Sequence, residues 1–141
     1  MKRLVILIAV IFLSGCAGLQ TVRGGPELEG TWQLVNALDY SQTVTIAREP
    51  AHYFEADPTT YLVIGHHPSE QGVEAYWAVF SMLHFIVSSW LAREAHTHSN
   101  RIWTWAFYTW EAGSLGLSGR AVVDNHAIGL TLFGPRGPKG R

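Results

Sequence analysis

The chain has 141 residues and a formal net charge of −1, with 48% hydrophobic and only 15% charged residues. That length allows one modest domain. The charge balance supplies no basic field for nucleic acid, and a single cysteine excludes an internal disulfide framework. Average soluble domains are about a quarter charged. Six Trp, five Tyr and six Phe add apolar area that a small interior does not hide. The excess is expected in a membrane, a partner or an oligomer interface.

Residues 1–15 read as a bacterial lipoprotein signal. Lys2 and Arg3 precede the apolar run Leu4 to Leu13, and Leu13-Ser14-Gly15-Cys16 ends it. The run is too short for a span of about 20 residues, which favours a cleaved leader over an uncleaved anchor. Cleavage leaves Cys16 as an N-terminal lipid acceptor, unavailable for redox chemistry. Each buried methylene adds roughly 0.8 kcal/mol, so several acyl chains hold where one does not. Residues 16–30, punctuated by Gly18, Gly24, Gly25, Pro26 and Gly30, read as a lipidated tether.

A single helical domain is expected over 31–133. Thr31 is the predicted cap of a helix that Glu49-Pro50 closes near Arg48. Asp39, Gln42, Thr43 and Ile46 share one face of it, although its β-branched residues weaken the helical preference. A breaker-rich connector follows, from Ala51 to Gly72. Inside it Tyr61-Leu62-Val63-Ile64 is either a strand or a buried turn of helix. Val73 to Arg93 is the strongest predicted helix, and Ala75 to Leu91 are 17 residues without a charge. Ser81, His84 and Ser88 fall on one stripe, which points toward protein or water rather than lipid. Glu94 to Asn100 reads as a polar loop. Ile102 to Gly119 reads as an aromatic third helix, though its alternation also suits a strand. It ends in a small-residue run that lets helices approach closely. Arg120 to Phe133 is either a hairpin about Asp124-Asn125-His126, or a helix end followed by an apolar strand or short helix. Residues 134–141 read as a disordered Gly/Pro/basic tail.

Asp39 with Gln42-Thr43, Glu55-x-x-Pro58, Gly65 then His67-Pro68-Ser69, Tyr76-Trp77 with His84, and Asn125 with Gly129 follow in a characteristic order. In that order the chain resembles an uncharacterised group of small bacterial lipoproteins or membrane proteins, over Leu38 to Leu130. It departs at Asp57, where the group's pattern has asparagine, and in extra residues before Gly65. The resemblance implies a mostly helical architecture and nothing about chemistry.

Seven histidines invite a metal, but the pairs His66-His67 and His96-x-His98 lack zinc-ligand spacing, so no metal site and no cofactor are expected. Glu111 stands inside an aromatic helix, where a carboxylate is costly unless paired or protonated. Its candidate partners are His84, Arg120, Tyr108, and Gln42 or Thr43. It is either a general acid/base with a raised pKa or a hydrogen-bonding lock between helices, and the lock is favoured because no nucleophile accompanies it. The polar cluster candidates are therefore Asp39, Gln42, Thr43, His84, Glu111 and Asn125. No Gly-rich phosphate loop, nucleophile elbow or Cys/His dyad is present.

The expectation is a mainly α protein, a small bundle of about three apolar helices associated with a membrane. It is lipid-anchored through Cys16 in the bacterial envelope and faces the periplasm. Its role is structural or in interaction, with an envelope protein or a second copy as partner. Ala17 suits the outer membrane and the apolar helices suit the inner one. The alternatives are a small membrane-associated hydrolase or metal-binding enzyme using Glu111, His84 and Asp39, and a β-rich lipoprotein domain.

Overall fold

The computed structural model describes residues 18–98, 101–131 and 134–135. The leader and Cys16 lie outside the described residues, as does the tail from 136. The described residues form four helices and one short hairpin: α1 (Gly25–Arg48), α2 (Pro58–Ile64), α3 (Glu70–Thr97), α4 (Arg101–Ala127), β1 (Leu130–Thr131) and β2 (Gly134–Pro135). The strands pair antiparallel, Leu130 opposite Pro135. The mainly α expectation is met and the β-rich alternative is not. The ambiguous stretch after Arg120 resolves as a helix end followed by a strand.

α1 starts six residues before the predicted Thr31 cap, inside the stretch read as a tether. Pro26 and Glu27 in its first turn supply a fixed φ and a charge suited to the positive helix end. Two glycines make the entry. Gly24 sits at φ 71°, and a Cβ on Gly25 would stand 2.3 Å from the Leu19 carbonyl oxygen. Thr31 lies within the helix, its hydroxyl donating to the Glu27 carbonyl at 2.7 Å.

The breakers of the connector build α2. Asp57 caps it, accepting from the Thr59 and Thr60 amides at 2.8 and 3.1 Å. Pro58 begins the helix, and Gly65, at φ 82°, ends it by donating its amide to the Tyr61 carbonyl at 2.8 Å. α3 begins after Ser69, whose hydroxyl accepts from the Gly72 amide at 3.1 Å. It continues through most of the predicted polar loop, where Glu94 meets His98 Nε2 at 3.1 Å, one turn on. α4 also outruns its predicted end. The glycines of its small-residue run do not serve close packing among the described residues: a Cβ on Gly113, Gly116 or Gly119 meets nothing within 4 Å.

The described residues group into two compact units, which share the long helices. One contains the described residues up to Trp32 together with Met82–Leu115; the other contains Gln33–Ser81 and the described residues from Gly116 onward. In the first, Leu19, Val22, Phe85, Leu91, Ala92 and Phe107 form the core, with Leu28, Trp103 and Trp110 packed against it. Each fully buried large side chain contributes roughly 1.5–3 kcal/mol. The Thr21 hydroxyl adds a tie to the Ala92 carbonyl at 3.1 Å. Among the described residues of the second unit, Ile46, Val73 and Leu130 are the buried apolar ones.

Glycine substitutions in α1 are expected to have opposite signs. Gly25→Ala drives a methyl into the Leu19 carbonyl and should lower stability by about 1–3 kcal/mol. Gly30→Ala adds a methyl in open space on a helix interior and should raise it by about 0.5–1 kcal/mol. Denaturant melts of the two variants check both signs.

Candidate functional site

The middle of α3 reverses the usual polarity of a soluble helix, although Phe85 and Leu91 are buried there. Ser81, His84 and Ser88 are 8%, 5% and 0% exposed, while Val79, Phe80, Leu83, Ile86 and Trp90 are 41–53% exposed. The predicted stripe does face protein. Buried polar groups must be hydrogen-bonded inside, and the partners define two polar clusters, one in each unit.

In the first unit, His84 Nδ1 lies 3.0 Å from Glu29 Oε2 and 3.3 Å from the Ser88 hydroxyl. Trp110 donates its indole N–H to Ser88 at 3.1 Å. The imidazole stacks on Trp32, with ring centroids 3.5 Å apart and planes 6° from parallel, and its ring centroid is 5.0 Å from that of Trp110. Glu111 completes the cluster at 1% exposure. One donor atom from each of Glu29, His84 and Glu111 falls within 4.8 Å of the others. Neither Glu111 oxygen, nor His84 Nε2, has a hydrogen-bond partner among the described residues. Burial pushes Glu111 above the usual carboxylate range; the nearby Ser88 hydroxyl lowers it in part, Glu29 raises it and His84 lowers it.

The lock expected of Glu111 is not seen among the described residues, where the Glu111 carboxyl makes no hydrogen bond and four other side chains, Glu29, His84, Ser88 and Trp110, join the helices instead. The other candidate partners of Glu111 are engaged elsewhere. Tyr108 donates to the Arg23 carbonyl at 2.9 Å, and Arg120 contacts Asp124 at 3.4 Å. Gln42 donates to the Val122 carbonyl and Thr43 to Glu55 Oε2, each at 3.4 Å. Glu29 was hidden from sequence reasoning because glycines around it suggested a tether. The Pro26-Glu27 helix start was the signal that places it on α1, one turn before Trp32.

The second unit gathers Asp39, Gln42, Thr43 and Asn125 with Glu55 and Asp57. Asn125 Nδ2 donates to Asp39 Oδ1 at 3.2 Å. Glu55, 2% exposed, accepts the Asp57 amide at 2.9 Å as well as the Thr43 hydroxyl. The Glu55-x-x-Pro58 motif is therefore a cap braced by a second carboxylate. Ser81 belongs to this unit too, its hydroxyl accepting from Asn36 at 2.8 Å. Burial, then the charges of Glu55 and Asp57, raise Asp39 from its ordinary 3.8 to about 7, against the lowering by Asn125. Glu55 is also raised, chiefly by burial. Of the three residues in the enzyme alternative, His84 and Glu111 sit together in the first unit, and Asp39 has its partners in the second.

Comparison of the chain with protein-family models, characterised proteins and solved structures gives no significant match.

Asp39 generates a pH prediction. Its carboxyl binds a proton more tightly in the folded chain than in the unfolded one. The stability it contributes is therefore fully present below about pH 4 and lost as pH rises to about 7. One unit corresponds to about 1.4 kcal/mol; since Asp39 keeps some exposure, we expect about 1–2 kcal/mol across the window. The stability of Asp39→Asn relative to the parent should rise by that amount between pH 4 and 8. A difference that stays flat across those melts contradicts the assignment.

Proposed function

We propose that the protein is a lipid-anchored component of the bacterial cell envelope, held through Cys16, with a structural or interaction role. The observation that carries this reading is the reversed polarity of α3. Only 33% of its most apolar 18-residue stretch is buried within the chain. A core helix of a soluble protein would bury most of such a stretch. Lipid accepts an exposed face of Val79, Leu83, Ile86 and Trp90 without the cost that water imposes.

The leader pattern and the lipobox cysteine support the same location independently. So does the resemblance to small bacterial lipoproteins and membrane proteins. Further apolar residues, Leu34 on α1 and Leu117 and Val123 on α4, are 66–70% exposed. They offer contact to an envelope protein or to a second copy. The hydrolase reading lacks a comparable observation: the Ser88 hydroxyl lies 3.3 Å from His84 Nδ1 but is fully buried and holds the Trp110 indole N–H, which leaves it no open face for a substrate.

Fractionation and mass spectrometry test the proposal. The tagged wild type should pellet with membranes and carry an acylated Cys16. Cys16→Ala should lose the acyl mass yet partly resist carbonate extraction through α3. Adding Leu83→Asn and Ile86→Asn to Cys16→Ala should release the chain. Wild-type protein found in the soluble fraction with a free thiol and an intact Met start would refute the reading.

A further inference from the structure

The geometry points to a binding site for one divalent metal ion of the zinc or ferrous-iron class, formed by Glu29, His84 and Glu111 in the first unit. It goes beyond the envelope role and does not depend on it. The three side chains come from three helices, α1, α3 and α4, and all are buried. Their donor atoms lie within 4.8 Å of one another. Ligands about 2.0–2.2 Å from a tetrahedral ion stand roughly 3.5 Å apart, so each group needs to move inward by less than about 1 Å.

Charge and tautomer both leave a deficit that a cation fills. When ionised, the two buried carboxylates carry a charge that one divalent ion balances. If Nδ1 holds the ring proton and donates it to Glu29, the Nε2 lone pair and both Glu111 oxygens remain unpartnered. If Nε2 holds the proton, Nδ1 presents a lone pair to the Glu29 carboxylate and the buried N–H has no acceptor. Either tautomer leaves buried polar atoms unsatisfied, which is costly for a folded protein.

The donor set selects the ion. Imidazole with carboxylates suits zinc and ferrous iron; calcium and magnesium prefer oxygen throughout. Ser88 stands beside the set at 3.3 Å from His84 Nδ1, with Trp110 fixing its hydroxyl. Trp32 covers one face of the imidazole. The spacing along the chain, with ligands far apart in sequence, is that of a tertiary site rather than of a local motif.

The test uses the full chain purified in detergent, stripped with chelator, and titrated with Zn2+ and with Co2+. One ion per chain should bind, raise Tm by several degrees, and be removed by chelator. Co2+ should quench tryptophan fluorescence, because Trp32 and Trp110 flank His84. Glu111→Gln should melt at or above wild type in chelator, since a buried unpartnered carboxyl is gone, yet lose roughly tenfold or more in Zn2+ affinity. Glu29→Gln should show the same loss and serves if Glu111→Gln folds poorly. The surface variant His96→Ala/His98→Ala should bind as wild type does. Absence of stoichiometric ion, absence of a Zn2+-dependent Tm shift, or binding lost in the surface variant and kept in Glu111→Gln overturns the site.

Discussion

An imidazole and two serine hydroxyls on an otherwise apolar helix constrain everything around them. Ser81, His84 and Ser88 are shut away from solvent, so neighbouring segments must supply their hydrogen bonds. Asn36 serves Ser81, Glu29 serves His84, and Trp110 serves Ser88. Those partners lie on α1 and α4. The polar stripe of α3 thus fixes which faces of the other two long helices turn inward. Such bonds are worth about 1 kcal/mol net when made and cost more when broken, so they specify arrangement more than they add stability.

The same constraint places the apolar side chains outside. With that stripe buried, the exposed positions of the uncharged stretch between Ala75 and Leu91 are apolar, Leu83, Ile86 and Trp90 among them. In water that surface would be a liability to aggregation. Against lipid or an apolar partner it would serve the attachment proposed above. The carboxylates follow a related logic. Glu111 and Asp39 are both held above their usual range by burial, one among aromatic rings and the other beside like charges. The hydroxyls beside these groups, Ser88 in one cluster and Thr43 in the other, are both buried and hydrogen-bonded.

Much of this arrangement was legible in the residues. The period of Ser81, His84 and Ser88 marked the inward face of α3, and the helical run of Asp39, Gln42, Thr43 and Ile46 marked that of α1. His84 was foreseen as a neighbour of Glu111, and the late Asn125 proved to be the partner of Asp39. Helix boundaries were less legible. Glycine usually breaks helices, but Gly24 and Gly25 are required by a tight entry next to Leu19, and Gly30 is simply tolerated. That local misreading concealed Glu29, and with it the second carboxylate of the buried triad. The capping function of Asp57-Pro58 was likewise mistaken for a plain interruption, since a cap and a break share the same residues. Pairings between distant segments leave no local trace, which is why Thr43 with Glu55 and Trp32 over His84 emerge only in three dimensions.

On the proposed function, the hydrophobic face of α3 meets a nonaqueous environment. Spin labels attached singly through Leu83→Cys, Ile86→Cys and Trp90→Cys, in protein reconstituted into lipid vesicles, report on this directly. Dissolved oxygen should relax these labels strongly, while a water-soluble nickel chelate should scarcely reach them. Relaxation by the chelate as efficient as that of a label at Glu70→Cys, on the exposed start of the same helix, would contradict that reading.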